Sequence, residues 1–318
     1  MGTSNASRWV FMCSGQGSQK PGMGAGLAFD PAVARVFECA SDIFGIDVRA
    51  LSTDAPADIL NDTRNAQAVI AATSIGVAQS LMERGVEPGA TMGLSLGQIS
   101  ALAVSGMLSV EATFRLLNAR AAAMDRSVHS HEGAMSAFMK GSPREVEEVC
   151  AACAQGDVLA AANYNAPAQT VVSGTPEAVA RAERAWIEKG HRARRLATAG
   201  AFHSPLMQQA ADEFAGYLAN VHFDEARIPL ICNTDARPLD ASSAPQHLID
   251  HLTHPVRFEQ SIRSLSEHGF GKFAEVGYGG ALSNLVKRIL PAAERTCIQD
   301  SASIEAFARG DAIAATSA

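Results

Sequence analysis

The chain has 318 residues, of which 47% are hydrophobic and 19% are charged, and its formal net charge is −7. This length and composition are sufficient for one large folded domain or two smaller ones, and they exclude disorder as the main state. The acidic balance excludes a general basic surface, so we expect small-molecule or protein partners and no nucleic acid.

The first predicted element is a short apolar strand at residues 9–13, which runs into a glycine-rich loop at residues 14–24. The loop does not match a dinucleotide-binding fingerprint, because Lys20 stands where the third glycine would fall. Its backbone N–H groups are expected to line a cavity for an anion or an oxyanion.

A long helix is predicted at residues 65–84, and one face of small residues suits it for packing against a sheet. These residues are Val69, Ala72, Thr73, Gly76 and Ser80.

The strongest local motif lies between a short strand at residues 91–92 and an apolar helix at residues 96–104. It reads Gly93-Leu94-Ser95-Leu96-Gly97. A sharp strand-to-helix turn crowds the backbone, so small residues are needed two positions to either side of the central serine. Ser95 is therefore predicted to be a nucleophile at a helix N-terminus, where the backbone N–H of Leu96 can stabilise an oxyanion.

Arg120 is predicted to start from the apolar face of its helix. Leu117, Arg120, Ala121 and Met124 follow the i, i+3, i+4, i+7 spacing of one helix face. A desolvated arginine requires an anion. The spacing alone leaves two partners open, a buried Asp or Glu or the carboxylate of a substrate bound by both ends of the guanidinium.

The middle of the chain is predicted to form a small inserted domain. Its strands and helices follow the order βαββαβ, which is that of a ferredoxin-like unit. The predicted strands are 134–139, 158–163, 170–173 and 192–197, and the predicted helices are 143–154 and 176–189. Because α/β patterning resumes at residues 228–232 and 272–276, residues 133–199 interrupt a discontinuous large domain of residues 1–132 and 200–318.

His203 is a candidate base for a serine nucleophile. It follows the last strand of the predicted insertion, where the chain crosses back between the domains and clefts form. Position alone nominates His203 among nine histidines, and a structural role stays open.

Cysteines and basic residues give weaker signals. Cys150 and Cys153 fall in a predicted helix without further ligands, so we expect reduced thiols and no metal site. A local basic cluster is either a solvated face or a docking patch for an acidic protein or a nucleotide phosphate. It consists of Lys189, Arg192, Arg194 and Arg195.

Taken together, the motifs resemble the malonyl-CoA:acyl-carrier-protein transacylase family from about residue 10 to residue 290. The matching segments are Gly15-Gln16-Gly17-Ser18-Gln19, Gly93-Leu94-Ser95-Leu96-Gly97, Arg120, Asn163-Tyr164-Asn165-Ala166-Pro167, Ala201-Phe202-His203 and Pro255-Val256-Arg257-Phe258. The resemblance implies an α/β fold, with an α/β-hydrolase-like large domain that carries a ferredoxin-like small domain.

The resemblance also implies roles for particular residues. Ser95 is then the nucleophile, His203 the base and Arg120 the clamp for the malonyl carboxylate. The backbone N–H groups of Gln16 and Leu96 form the oxyanion hole. The substrate pocket is expected to include Met124, Asn165, Phe202 and His251.

Phe202 and three departures from the family pattern bear on specificity. The ring of Phe202 opposes an α-methyl group, which favours malonyl over methylmalonyl. The family usually has His, Glu and Gln where this chain has Leu94, Gln98 and His251. We expect Gln98 to remove a negative charge near the pocket mouth, and the backbone carbonyl of His251 to keep orienting the catalytic histidine.

The implied reaction is transfer of a malonyl group from malonyl-CoA to the phosphopantetheine thiol of an acyl carrier protein, in fatty-acid or polyketide synthesis. No cofactor is expected, since CoA enters only as the thioester substrate. The alternative is a homologue that hydrolyses acyl groups from carrier proteins. With no signal-peptide-like or membrane-spanning run in the sequence, we expect a cytoplasmic protein without a membrane partner, and a monomer.

Overall fold

The computed structural model describes residues 8–198 and 200–311 and has a mixed α/β fold with one parallel and one antiparallel sheet. The predicted domain boundary at residue 199 lies outside the described residues, as do both chain ends at 1–7 and 312–318.

The strands and helices alternate along most of the chain. The strands are β1 (Trp9–Cys13), β2 (Ala90–Gly93), β3 (Ala134–Met139), β4 (Leu159–Ala166), β5 (Gln169–Gly174), β6 (Arg192–Arg195), β7 (Lys272–Val276) and β8 (Glu294–Ile298). The helices before β4 are α1 (Pro31–Phe44), α2 (Val48–Thr53), α3 (Ala57–Leu60), α4 (Thr63–Glu83), α5 (Leu96–Ser105), α6 (Val110–Ser130) and α7 (Pro143–Ala154). The later helices are α8 (Pro176–Glu188), α9 (Gln208–Leu218), α10 (Ala244–Thr253), α11 (Phe258–Glu267), α12 (Ala281–Ile289) and α13 (Ser301–Arg309).

The parallel sheet has the strand order β2-β1-β7-β8, and helices cover both of its faces. β1 lies inside the sheet, and its Val10, Phe11 and Met12 are fully buried. A strand covered on both faces needs such a continuous apolar run. The carboxyl ends of parallel strands meet at one edge, where ligand sites of α/β folds form. The glycine-rich loop after β1 and the turn after β2 therefore lie side by side.

The antiparallel sheet has the strand order β4-β5-β3-β6. Helices α7 and α8 pack on one face, where the Phe138 and Trp186 rings stack with centroids 5.1 Å apart. On the edge strand β4, the backbone bonds to the other part of the molecule: Tyr164 N–H donates to the Val256 carbonyl and Val256 N–H donates to Ala162, both at 2.8 Å. The face opposite α7 and α8 is thereby held over the end of the parallel sheet.

Several predicted elements agree closely with the structure. The strand at 134–139 and the helix at 143–154 have the predicted bounds. Ser142 and Glu145 form a capping box and Pro143 occupies the first turn, so the helix start is marked three times in the sequence.

Two expectations about the remaining elements hold only in part. Residues 228–232 are extended beside β2 but form only isolated bridges, Thr91 with Leu230 and Ile231 with Pro238. Helix α4 does contact β1 and β7 of the parallel sheet, but its small face packs against a helix at Gly76 and Ser80: Gly76 abuts Val33 of α1, and Ser80 Oγ donates to the α1 cap Asp30. Small residues allow close approach of any backbone, and the sequence does not say which.

All six cysteines are free thiols, including Cys150 and Cys153 on α7. Within residues 8–198 and 200–311, no helix has both the length and the apolar composition that a membrane crossing requires.

Candidate active site

A cavity of about 530 Å³ lies between the carboxyl edge of the parallel sheet and the face of the antiparallel sheet opposite α7 and α8. All four strands of the antiparallel sheet contribute to its roof, through Met135, Asn163, Val171 and Arg194 among others. The cavity brings together eight of the nine site residues expected from the sequence. They are Gln16, Ser95, Leu96, Arg120, Met124, Asn165, Phe202 and His203.

Ser95 is held on a strained turn between β2 and α5. Its φ of 53° and ψ of −107° lie where non-glycine residues are rarely found. A Cβ on Gly93 would lie 2.0 Å from the Gly97 carbonyl carbon, and one on Gly97 would lie 2.1 Å from the Cys13 carbonyl oxygen. Both glycines are therefore required by close backbone approach, as the motif predicts.

His203 lies against Ser95, with its Nε2 2.7 Å from Ser95 Oγ. On the other side of the ring, Nδ1 lies 2.8 Å from the His251 carbonyl oxygen. A carbonyl only accepts, so Nδ1 carries the proton and Nε2 is left as the acceptor for the serine hydroxyl. Burial, and after it the positive charge of Arg120, lower the pKa of His203 to about 4. The imidazole is thus a neutral base at physiological pH.

The glycine-rich loop after β1 forms the wall beside Ser95. Gly15, Gln16 and Gly17 line the cavity, and a Cβ on Gly15 would lie 2.5 Å from the Leu94 carbonyl oxygen. Leu96 is the first residue of α5, so its backbone N–H has no acceptor within the helix. The backbone segments that contain Gln16 and Leu96 thus line the same cavity as Ser95.

Arg120 is a buried cation without an anionic partner. It is 1% exposed and makes no ion pair with any Asp or Glu that the structure describes. Its Nη1 donates to Gln67 Oε1 at 3.4 Å, whereas Nε and Nη2 have no hydrogen-bond partner among the described residues. Burial lowers the pKa of Arg120 to about 10, which still leaves it charged at neutral pH. The hypothesis of a buried ion pair is therefore wrong, and the charge faces a cavity that can receive an anion.

Two further residues were not found from the sequence. Gln67 of α4 is fully buried and holds Arg120, and it stands out as an amide within a run of alanines and β-branched residues. Asn233 is also fully buried: its Oδ1 accepts from Ser95 N–H at 2.9 Å, and its Nδ2 donates to the Gly93 carbonyl at 2.8 Å. The only signal for Asn233 was its place after the apolar run at 228–232.

The three departures from the family pattern lie at different depths. Leu94 is half-buried and lines the cavity. Gln98 is not at the pocket mouth as expected: it is fully buried, and its Oε1 accepts from the backbone N–H of Asn233. The buried His251 side chain is absent from the cavity lining, but its ring lies beside the His203 ring with centroids 5.1 Å apart, and its backbone carbonyl orients His203.

Among the described residues, Cys232, Asp235 and His247 offer ligand atoms within 4.8 Å of one another, as a metal ion would need. The Thr234 hydroxyl already lies between them, 3.1 Å from Cys232 Sγ and 2.7 Å from His247 Nδ1. Burial also raises the pKa of the Cys232 thiol, which opposes the thiolate that a metal requires. The hydroxyl thus satisfies the cysteine and the histidine without a metal.

The basic cluster is divided between the two faces of β6. Ala193 packs against the core under α8, and Arg195 pairs with Glu183 of α8 at 2.8 Å. Alternation along a strand turns Arg192 and Arg194 to the opposite face, where Arg194 lines the mouth of the cavity. Only part of the cluster is therefore available to a partner.

The sequence matches the family described as "Acyl transferase domain" over residues 10–302. The chain belongs to this acyl transferase family. This acyl transferase is 35% identical over 303 residues to the malonyl CoA-acyl carrier protein transacylase of Bacillus subtilis strain 168, covering 94% of this chain and 96% of that protein.

Solved structures give the same relationship. This acyl transferase superposes with a TM-score of 0.92 and 33% identity on the malonyl-CoA:acyl carrier protein transacylase of Xanthomonas oryzae pv. oryzae, covering 96% of this chain and 99% of that one. It also superposes, with a TM-score of 0.92 and 32% identity, on a malonyl-transacylase bound to a type II polyketide acyl-carrier protein, covering 96% and 100% of the two chains.

Proposed function

We propose that this acyl transferase moves a malonyl group from malonyl-CoA to the phosphopantetheine thiol of an acyl carrier protein, in fatty-acid or polyketide synthesis. The observation that carries the proposal is one cavity that holds a serine and histidine 2.7 Å apart together with a buried, unpaired arginine. The curated and structural relatives have this activity in their names.

The reaction proceeds in two half-reactions through an ester on Ser95. His203 Nε2 takes the hydroxyl proton as Oγ attacks the thioester carbonyl carbon. The oxygen of the tetrahedral intermediate is stabilised by the backbone N–H groups of Gln16 and Leu96. The carbon–sulfur bond then breaks, and the CoA sulfur leaves with the proton from His203. The carrier thiol reacts in the same way, gives its proton to His203, and releases Ser95.

Arg120 selects for a substrate with a carboxylate. Its free Nε and Nη2 can bind the two oxygens of the malonyl carboxylate, while Gln67 holds Nη1. A simple acyl group would leave the buried charge unpaired, so the site discriminates against it. Phe202 lines the same cavity and opposes an α-methyl group, which favours malonyl over methylmalonyl.

We propose no cofactor or resident metal, because His203 and the backbone donors account for each proton transfer and each developing charge. We also propose a cytoplasmic monomer: one chain supplies every group named in the mechanism, and six free cysteines are usual in a reducing compartment.

We further propose an α/β-hydrolase-like large domain, residues 1–132 and 200–318, with a ferredoxin-like small domain inserted at 133–199. Two observations support the small domain. Its elements run β3-α7-β4-β5-α8-β6, and its strands lie in the order β4-β5-β3-β6.

Isotope-labelled malonyl-CoA tests the function directly. We expect label on Ser95 without a carrier protein, and label on the phosphopantetheine thiol when a holo-carrier protein is added. Free malonate released at the same rate with or without the carrier would instead support the hydrolase alternative, which the buried Arg120 disfavours. No label on either protein would contradict the proposal.

Arg192 and Arg194 are proposed to steer an acidic carrier protein to the cavity mouth. Replacing both with glutamine should slow transfer to the carrier several-fold at low salt and less at high salt, because steering between exposed charges is screened by ions. Acylation by malonyl-CoA should stay unchanged. The matched control is Arg195→Gln on the opposite face of β6, which should alter neither half-reaction. Equal loss in both half-reactions would show that the arginines bind a group shared by both substrates.

A further inference from the structure

Glu275 is a buried carboxylate that the mechanism does not use. It lies near the carboxyl end of β7, an interior strand of the parallel sheet, and has no solvent exposure. Its Oε1 accepts from Ser14 Oγ at 3.2 Å, and its Oε2 accepts from the Ser283 N–H of α12 at 2.9 Å. It makes no ion pair within the part of the chain that the structure describes. Burying a lone carboxylate is costly, so its position calls for an explanation.

Ser14 connects Glu275 to the loop that carries Gln16. Its N–H donates to Ser74 Oγ of α4 at 3.3 Å. A Cβ on Gly277 would lie 2.7 Å from Ser14 Oγ and 2.9 Å from Ser74 Oγ, so the backbone after β7 packs closely against both hydroxyls. From the other side, a Cβ on Gly97 of α5 would lie 3.0 Å from the Ser14 carbonyl oxygen. Ser14 is thus fixed between Glu275 and the helix that begins at the nucleophile.

We propose that Glu275 is a positioning residue for oxyanion binding: through Ser14 it holds the backbone N–H of Gln16 where the acylation transition state of Ser95 needs it. The proposal rests on the proposed function and adds a residue that acts on the same step without touching the substrate. Oxyanion donors are effective only when they are fixed before the charge develops.

Titration of Glu275 should make the rate of Ser95 acylation depend on pH. Burial raises the pKa of this carboxyl to about 7. An ionised carboxylate accepts a charge-assisted bond from Ser14 Oγ, whereas the protonated acid makes a weaker one. The rate of acylation should therefore rise as the pH passes upward through about 7. Titration of the base His203 also changes the rate, but its pKa of about 4 places that change well below pH 7.

The thiols next to Glu275 in the described part of the chain do not titrate near neutral pH. From β8, Cys297 stands in register with Glu275, and Cys13 lies at the end of β1; burial raises the pKa of both thiols to about 12. From α12, the facing groups are the backbone N–H groups of Leu282 and Ser283 and the Ser283 hydroxyl, and from α4 the Ser74 hydroxyl contacts Ser14.

Folding stability should change with pH in the opposite direction. The pKa of Glu275 is raised in the folded state above its ordinary value of 4.5, so ionisation opposes folding. This contribution to stability is present below pH 4.5 and is lost as the pH rises to about 7. Ionisation of Glu275 should therefore raise the acylation rate and lower the stability over the same pH range. A residue that only stabilised the fold would not show these opposite effects.

The test is the single-turnover rate of Ser95 acylation at saturating malonyl-CoA, measured by quenched-flow mass spectrometry across neutral pH. The acylation rate of wild type should rise with pH near pH 7. The rate of Glu275→Gln should not rise and should stay at the low-pH rate of wild type, about tenfold below the high-pH rate of wild type. Ser14→Ala should also lose this rise, and the double variant should be no slower than Ser14→Ala, because both changes remove one connection. The KM for malonyl-CoA should not change.

The matched control is Glu294→Gln on the neighbouring strand β8, an exposed glutamate that pairs with Lys272. It should retain the wild-type profile. Three results would each overturn the proposal. They are a wild-type acylation rate that does not rise near pH 7, a rise that persists in Glu275→Gln, and rate losses that multiply in the double variant. If Glu275→Gln does not fold, the wild-type and Ser14→Ala profiles still decide it. Failure of wild type to be acylated at all would instead contradict the proposed function.

Discussion

Replacing Ser95 with alanine will abolish the covalent malonyl-enzyme and lower turnover by about six orders of magnitude, as loss of a catalytic serine does in other enzymes. The ester requires an oxygen nucleophile beside a base, and Ser95 Oγ lies 2.7 Å from His203 Nε2. Intact-protein mass after incubation with malonyl-CoA measures the adduct directly.

Ser100→Ala is the matched control for this prediction. Ser100 is a buried serine on the same helix α5, so its replacement tests whether loss of a hydroxyl there merely disturbs the fold. The control should still form the adduct. Detection of a malonyl adduct on Ser95→Ala, at any residue, would contradict the assignment of the nucleophile.

Arg120→Ala will strongly lower kcat/KM for malonyl transfer and will leave kcat/KM for acetyl transfer unchanged or improved. Removing one partner from a buried, hydrogen-bonded charge pair costs about 2–5 kcal/mol, so kcat/KM for malonyl-CoA should fall roughly 30- to 4,000-fold. Acetyl-CoA presents no anion, and its kcat/KM should gain from the loss of an unpaired buried charge. Parallel kinetics with the two thioesters measure the difference.

A melting curve separates this role from a structural one. Breaking a buried ion pair destabilises a fold by about 3–5 kcal/mol. Arg120 has no such partner among the described residues, so Arg120→Ala should not lower the melting temperature by a corresponding amount. Arg115→Ala, on the exposed side of the same helix where Arg115 pairs with Glu111, should affect neither kinetics nor melting. Equal losses with both thioesters would contradict the carboxylate clamp.

Elements marked by local chemistry were predictable from the sequence. The nucleophile turn needs glycine at two fixed positions, and the start of α7 is marked by a cap, a proline and a glutamate. Local rules of this kind depend only on neighbouring residues, so one sequence is sufficient. The expected positions of Ser95 and His203 follow from such rules together with the family resemblance.

Features that depend on distant packing were not predictable. Asn233 fixes the Ser95 turn from 138 positions along the chain, and nothing next to it in sequence indicates that contact. For the same reason Gln98 was expected at the pocket mouth, although it lies beneath the turn and accepts a bond from Asn233. The partner of the Arg120 guanidinium was likewise left open, because an apolar helix face shows that a charge is buried but not what it meets.

The backbone bonds between β4 and Val256 restrict how the substrates can enter. His203 is oriented by the carbonyl of His251, only a few residues before the strand contact at Val256. A hinge motion that lifted the antiparallel sheet would pull on this segment and disturb the base. On the proposed function we therefore expect end-on access: the flexible pantetheine arm enters the cavity beside its exposed lining residues Asn61 and Arg194, while the body of CoA or of the carrier protein stays outside.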